Sequence, residues 1–329
     1  MKFVIGAAVA AVAVAATVGL ATRESGHAQR GSLQAIGALQ GSADGTAAPS
    51  VPAQRIQEIG ESVAKRPVGN PSSKLAAELA ASKDWRAFAL AARSRPQEGG
   101  YFYAMYVSNL CSMGLAQMPE APREAIASRV ARTGTISAHM IELTERFTSR
   151  CASFASEEAS SMYRETKGLA ADNKDPLIAA KREALNAMKG GDKQQTREAL
   201  RNLFALGDSL ASFDDVLILR GMSKSAGGQL GDMWFDGTLY GADDPVKISS
   251  VRLAVDLAAC SSEAPCDLDT HVMLACMGGQ FCADSRTDLL RHQYVTEGGM
   301  TEAQFAAAVA LSARIRQAVD SGRVETFVR

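Results

Sequence analysis

The chain is poor in the residue types and spacings that usually announce chemistry. Only 6% of its residues are aromatic, four are histidine and two are tryptophan. No Gly-x-Gly-x-x-Gly or Gly-x-x-x-x-Gly-Lys-Ser/Thr phosphate loop is present, and no serine stands in a Gly-x-Ser-x-Gly context, which removes the nucleotide-binding and hydrolase signatures. The formal charge is −1, with no polybasic stretch. Such a balance gives no electrostatic ground for a nucleic-acid partner or a membrane-surface patch.

The four histidines fit no ligand set. His27 falls in the N-terminal segment. His139 precedes Glu142 by three residues on a helical stretch, but a bundle metal site needs a second Glu-x-x-His and further carboxylates, and no second copy exists. His271 and His292 fall at the ends of short helices, where surface or capping roles outweigh catalysis. Of the acidic pairs Asp214-Asp215 and Asp243-Asp244, neighbouring residues do not face each other on a helix, and the second precedes Pro245 as a helix start would. The sequence therefore assigns no catalytic, cofactor-binding or metal-ligating residue and implies no cofactor.

What is present is an apolar run, Phe3 to Leu20, behind a single lysine, followed downstream by six cysteines. The run marks export, and in an oxidising compartment an even cysteine count reads as a disulfide framework. Two fates stay open for residues 1–28. Gly26-His27-Ala28 and Gly19-Leu20-Ala21 offer small residues suited to signal cleavage, whereas the length of the run suits an anchor in the inner membrane through residues 3–20. No cysteine follows the run, so lipid modification is not expected. Cleavage would remove Lys2, Arg23 and Glu24 and leave the mature chain near neutral. The membrane is engaged through this segment alone.

Residues 29–71, with GSADGTAAPSVPAQ at their centre, lack sustained apolar periodicity and read as a flexible tether. Beyond it the punctuation is helical, and the fold class expected is all-α. Asp84 precedes WRAFALAARS; Pro122 opens PREAIASRVART before Gly134; Asp175-Pro176 opens a helix ending at Gly190-Gly191; Asp192 opens another that runs to Leu206 before Gly207. This rhythm predicts an irregular array of antiparallel helix pairs over 72–225, loosely of tetratricopeptide or Sel1 type but without a strict period. A third helical segment, Phe213 to Lys224, leads into GGQLGDMWFDGTLYGADDP. Residues 226–246 read as one long aromatic, glycine-rich loop, with Trp234, Phe235 and Tyr240 either forming a candidate binding loop or folding back as a plug over the helices. Residues 247–329 then form a cysteine-rich helical C-terminal part. Its last helix is expected from Thr301 to Ser321, opened by a Thr301/Gln304 capping box and burying Phe305, Leu311 and Ile315.

Ala104, Val107, Cys111 and Leu115 recur at helical spacing, as do Ile136, Met140, Leu143, Phe147, Cys151 and Phe154. Both stripes carry an inward cysteine, which makes Cys111 and Cys151 natural partners. The other four follow the pattern Cys-x5-Cys, nine residues, Cys-x5-Cys, too wide for structural zinc knuckles. If Lys247–Ala259 and Asp267–Met277 are antiparallel helices, Cys276 lies on the order of 15 Å from Cys260 along the second of them. Local bonds, Cys260 with Cys266 and Cys276 with Cys282, then satisfy disulfide reach.

LAVDLAACSSEAPC followed by LACMGGQFC, an Asp-Ser start and a long final helix resembles the C-terminal region of a group of uncharacterised exported or membrane-anchored helical proteins of proteobacteria. The resemblance spans about Val251 to Gly322 and rests on Cys260, Cys266, Cys276, Gly279 and Cys282. It implies a disulfide-stabilised helical end and a periplasmic setting, and carries no activity. Two functions of different class follow from the sequence. One is an interaction or scaffold module of the cell envelope, recognising envelope proteins through stacked helix pairs. The alternative is a periplasmic enzyme acting on cell-wall or envelope material. The compositional break itself is open to test: limited proteolysis of the full chain is expected to cut first within residues 22–71, and a resistant core beginning before about Ala53 overturns the tether.

Overall fold

The structure, a computed structural model, describes residues 71–117, 136–155, 157–172, 174–213, 215–227, 231–259, 270–278 and 281–329. The N-terminal apolar run, the tether, the helix expected from Pro122 to Gly134 and the Cys260/Cys266 pair lie outside the described residues. Those described are mainly helical: α1 Pro71–Ala81, α2 Trp85–Arg93, α3 Gly100–Gln117, α4 Ala138–Cys151, α5 Glu158–Leu169, α6 Pro176–Gly190, α7 Lys193–Ala205, the single turn α8 Ser209–Ser212, and α9 Asp215–Ala226. A hairpin of β1 Met233–Phe235 and β2 Thr238–Tyr240 follows, then α10 Pro245–Ala258, α11 Thr270–Met277, α12 Arg286–Arg291, a π-turn His292–Glu297, and α13 Glu302–Asp320.

The helix boundaries follow side-chain chemistry at the caps. Asp84, Asp175, Asp192 and Asp244 each accept a backbone N–H in the first turn of the helix behind them, which satisfies donors that have no partner within the helix. Gly191 closes α6 at φ 76°, a left-handed position suited to glycine. Thr301 and Gln304 close a reciprocal capping box on α13.

Two apolar clusters hold these helices together. In the first, α3 is the central element. Its sequence, GYFYAMYVSNLCSMGLAQ, is apolar on nearly all sides, as suits a helix surrounded by others, and it packs against α1, α2, α4, α5, α6 and α11. Met140, Leu143, Phe147, Cys151 and Phe154 bring one buried face of α4 and its exit to it. Ile136, placed on the same stripe by its spacing, precedes the Ser137 cap and is only half-buried. Gly114 lets the two helices meet: a Cβ there would come within 2.3 Å of the Phe147 ring. One turn away Cys111 is bonded to Cys151, with the Cα atoms 5.6 Å apart and both residues sealed from solvent.

The second cluster gathers α6, α7, α9, the hairpin, α10, α13 and the C-terminal Val324, Phe327 and Val328. Here α10 lies along α13, whose Phe305, Leu311 and Ile315 are buried. The antiparallel pairing expected of α10 with α11 is not the arrangement found. Val272, Met273, Cys276 and Met277 of α11 belong to the first cluster beside α3 and α4, whereas the apolar residues of α10 belong to the second. The Cys276–Cys282 bond, Cα atoms 4.4 Å apart, forms between α11 and the segment leading to α12. The two clusters therefore alternate along the chain, and consecutive residues Leu289 and Leu290 sit one in each.

The long loop expected between α9 and α10 contains an antiparallel hairpin, registered Met233 with Tyr240, Trp234 with Leu239 and Phe235 with Thr238. Asp236 and Gly237, at φ 48° and 80°, make the two-residue turn between its strands, the left-handed pair that a type I′ hairpin requires.

Polar bonds stitch the clusters together at one place. Asp175 is completely buried. One carboxylate oxygen accepts the N–H groups of Leu177 and Ile178, at 2.9 and 3.1 Å, and the other accepts that of Phe102 at 2.9 Å. A single side chain thus caps the N-termini of both α6 and α3. Nearby, the Tyr103 hydroxyl donates to Asp208 at 2.7 Å, and Asp208 accepts the Ala211 N–H at 2.8 Å. Burial pushes the Asp175 carboxyl above the ordinary aspartate range despite its backbone bonds. Ionisation there costs the folded state, so any stability tied to its protonated form is full at low pH and is lost as pH rises through the raised value. Its structural contribution is the three N–H groups it satisfies. Asp175→Ala leaves them, one buried and two partly so, without an acceptor and is expected to cost about 3 kcal/mol in urea denaturation, with Asp175→Asn intermediate; a loss below about 1 kcal/mol for Ala contradicts the double-cap reading.

Candidate functional site

A concavity runs along the α6–α7 hairpin. Asp175-Pro176 and Asp192 start the two helices, and Gly191 turns the chain sharply between them. Leu177, Ala184 and Met188 face the core on one side of α6, as Leu200 and Leu203 do on α7. The other side leaves a groove of about 580 Å³, lined by Ala179, Arg182, Glu183, Asn186 and Ala187 from α6 and by Gln195, Glu198 and Ala199 from α7. Its floor is alanine and its rim is polar. The Arg182 guanidinium is turned to the carbonyl oxygens of Ala170 and Ala171, at 3.0 and 3.3 Å, and Glu198 accepts from Gln194 at 2.6 Å. Such a floor admits the backbone of another helix closely, and such a rim offers it donors and acceptors.

Sequence reasoning did not single out these positions. Ala179, Glu183 and Asn186 recur at spacings of four and three between two well-marked caps, so a second, non-core face of α6 was readable. Nothing in the residue types separates a groove wall from an ordinary solvated face.

The hairpin divides its aromatic residues between two faces. Phe235 is 1% exposed and packs on Phe327, ring centroids 5.4 Å apart. Asp236 at the turn pairs with Arg314, whose guanidinium also lies over the Phe235 ring, and the Asp236 N–H donates to the Thr326 carbonyl at 2.9 Å. At the base, Asp232 accepts the Ala242 N–H at 2.6 Å. The hairpin is thus clamped to α13 and to the C-terminal turn. Tyr240 is half-buried against the same cluster, and burial pushes its hydroxyl pKa up. Trp234 stands opposite Leu239, which is 49% exposed, on the outer face. Of the three aromatics singled out from sequence, Phe235 is core, Tyr240 is wedged at its margin and Trp234 keeps a surface to solvent.

The histidines stand apart from one another in role. His139 and Glu142 are exposed on α4, and Glu142 lies 3.9 Å from Arg146. His292 stacks on Phe281, centroids 3.9 Å apart, with Nε2 3.3 Å from Glu297. Among the described residues no three His, Cys, Asp or Glu side chains are grouped to hold a metal ion. Among them, too, no helix is long and apolar enough to cross a membrane.

Comparison of the chain with protein-family models finds no match, and neither the search of curated proteins nor that of solved structures returns a similar protein. The hairpin's two faces make distinct predictions. Phe235→Ala is expected to cost about 3–5 kcal/mol of stability as a core cavity, and Trp234→Ala under about 1 kcal/mol as a surface change. Thermal or urea unfolding of both variants checks this, and equal losses contradict it.

Proposed function

We propose that the protein is an exported helical interaction module of the cell envelope, and that the α6–α7 groove receives a helix of a partner protein. The single observation that carries this reading is the groove itself, with its alanine floor between two capped antiparallel helices and its rim of Glu183, Asn186, Gln195 and Glu198. In helical arrays the next helix pair stacks on such a face. Among the described residues Glu183, Asn186, Gln195 and Glu198 on this face stay exposed, and close approach over small residues is how a groove accepts an amphipathic helix.

The setting we infer is periplasmic, with the chain either soluble after signal cleavage or tethered to the inner membrane by residues 3–20. Two disulfides, Cys111–Cys151 and Cys276–Cys282, fit an oxidising compartment. The loose likeness of α6 and α7 to a tetratricopeptide or Sel1 pair, and the resemblance of residues 251–322 to cysteine-paired exported proteins of proteobacteria, belong to the same reading.

Filling the groove tests it. Ala179→Trp and Gln195→Trp place bulk in the groove and leave the core-facing side chains in position. Partners recovered from envelope extract by photo-crosslinking from Asn186 in the full chain are expected to fall by about tenfold in each variant, which is about 1.4 kcal/mol of binding, with the melting temperature unchanged. Undiminished crosslinking to the same partners overturns the proposal.

A further inference from the structure

We propose that Cys282 is a thiol-exchange site, at which a dithiol reductant opens the Cys276–Cys282 bond and thereby releases α11 from the first core cluster. The four sulfur atoms of the two described bonds have unequal surroundings, none of them in the groove. Cys111 and Cys151 are both fully buried in the α3–α4 seam. Cys276 is fully buried too, but its partner Cys282 is half-buried and follows Phe281, which is 45% exposed. An attacking thiolate needs direct access to one sulfur of the bond it breaks, and of these two bonds only Cys276–Cys282 offers it, at Cys282.

A reductant thiolate attacks Cys282 Sγ, a new S–S bond forms between them, and the Cys276–Cys282 bond breaks with its electron pair going to Cys276 Sγ. The second reductant thiol then closes the reductant's own disulfide and expels Cys282 as thiolate. Two protons from the dithiol end on the two protein thiols, so the protein disulfide gains two electrons and the dithiol is oxidised.

The leaving group couples this chemistry to structure. Cys276 lies in the last turn of α11 beside Val272, Met273 and Met277. An apolar environment and the negative end of a helix both disfavour a thiolate. The sulfur becomes a competent leaving group when the end of α11 lifts and water reaches it. That end covers the place where α3 and α4 meet, because Leu274 lies over Gly114 next to the Phe147 ring. Reduction would therefore uncover an apolar face of the first cluster, and would also free Phe281 from its stack on His292.

The test uses the full oxidised chain under native conditions, titrated with dithiothreitol, quenched by alkylation and mapped by mass spectrometry, with hydrogen exchange followed in α11. Labelling of Cys276 and Cys282 is expected at reductant concentrations that leave Cys111 and Cys151 bonded, with α11 amides exchanging about tenfold faster or more once the bond opens. The double variant Cys276→Ser/Cys282→Ser is expected to show the fast exchange without reductant. Opening of Cys111–Cys151 first or at the same concentration overturns the proposal, as does α11 exchange unaltered by reduction. Should the double variant not fold, the titration of the wild-type chain decides alone.

Discussion

One buried carboxylate sets the geometry from which the rest of the molecule is built. Asp175 binds the first-turn N–H groups of α6 and α3 at once, so two helix N-termini, each carrying about half a positive charge, converge on a single side chain. That fixes the angle at which the α6–α7 hairpin leaves the first cluster, and with it the direction in which the groove opens. The packing around the joint leaves little freedom. A Cβ on Gly99 would meet Leu177 at 2.6 Å, and one on Gly100 would meet the Ala92 carbonyl oxygen at 1.9 Å. The side-chain volume that a mutation would add at either glycine is already occupied, so the joint depends on the absence of side chains as much as on the carboxylate.

The parts of the fold that were legible in the sequence are those written in local chemistry. Asp84, Asp175-Pro176, Asp192, Asp244-Pro245 and Thr301/Gln304 state their helix starts outright, because a capping side chain acts within three residues of itself. The Met140/Leu143/Phe147/Cys151 stripe and its counterpart on α3 were readable because burial on a helix repeats every three to four residues. The hairpin was missed, although Asp236-Gly237 between WF and TL is a strong two-residue turn signal. Counting glycines and aromatics alone reads that stretch as a loop.

What the sequence did not disclose is which helix packs on which. α11 is short and apolar on most sides, so its periodicity names no partner, and nearness in the chain suggests α10. It packs on α3 and α4, far earlier in the sequence, because a hydrophobic surface is satisfied by any apolar neighbour of fitting shape. The groove was hidden for a related reason. Glu183, Asn186 and Gln195 have the composition of any solvated helix face, and only the spacing of two helices turns them into the walls of a cleft. The π-turn at His292–Glu297 gives no residue-level sign either, since it differs from an α-turn by one residue in its hydrogen bonding.

The alternation of the clusters along the chain bears on how the molecule can be made. Synthesis delivers the polypeptide from its N-terminus at a finite rate, so the residues from Leu75 to Met162 are available long before Val272 to Cys276 arrive to cover α3 and α4. Until then the first cluster has an open apolar side where α11 will sit. The second cluster separates it in sequence from its own missing piece, and at α12 the two clusters meet again through the consecutive Leu289 and Leu290. Completion must therefore wait for the last quarter of the chain. A ribosome-bound intermediate is left with a sticky surface that only its own latecomer helix, or a chaperone standing in for it, can cover.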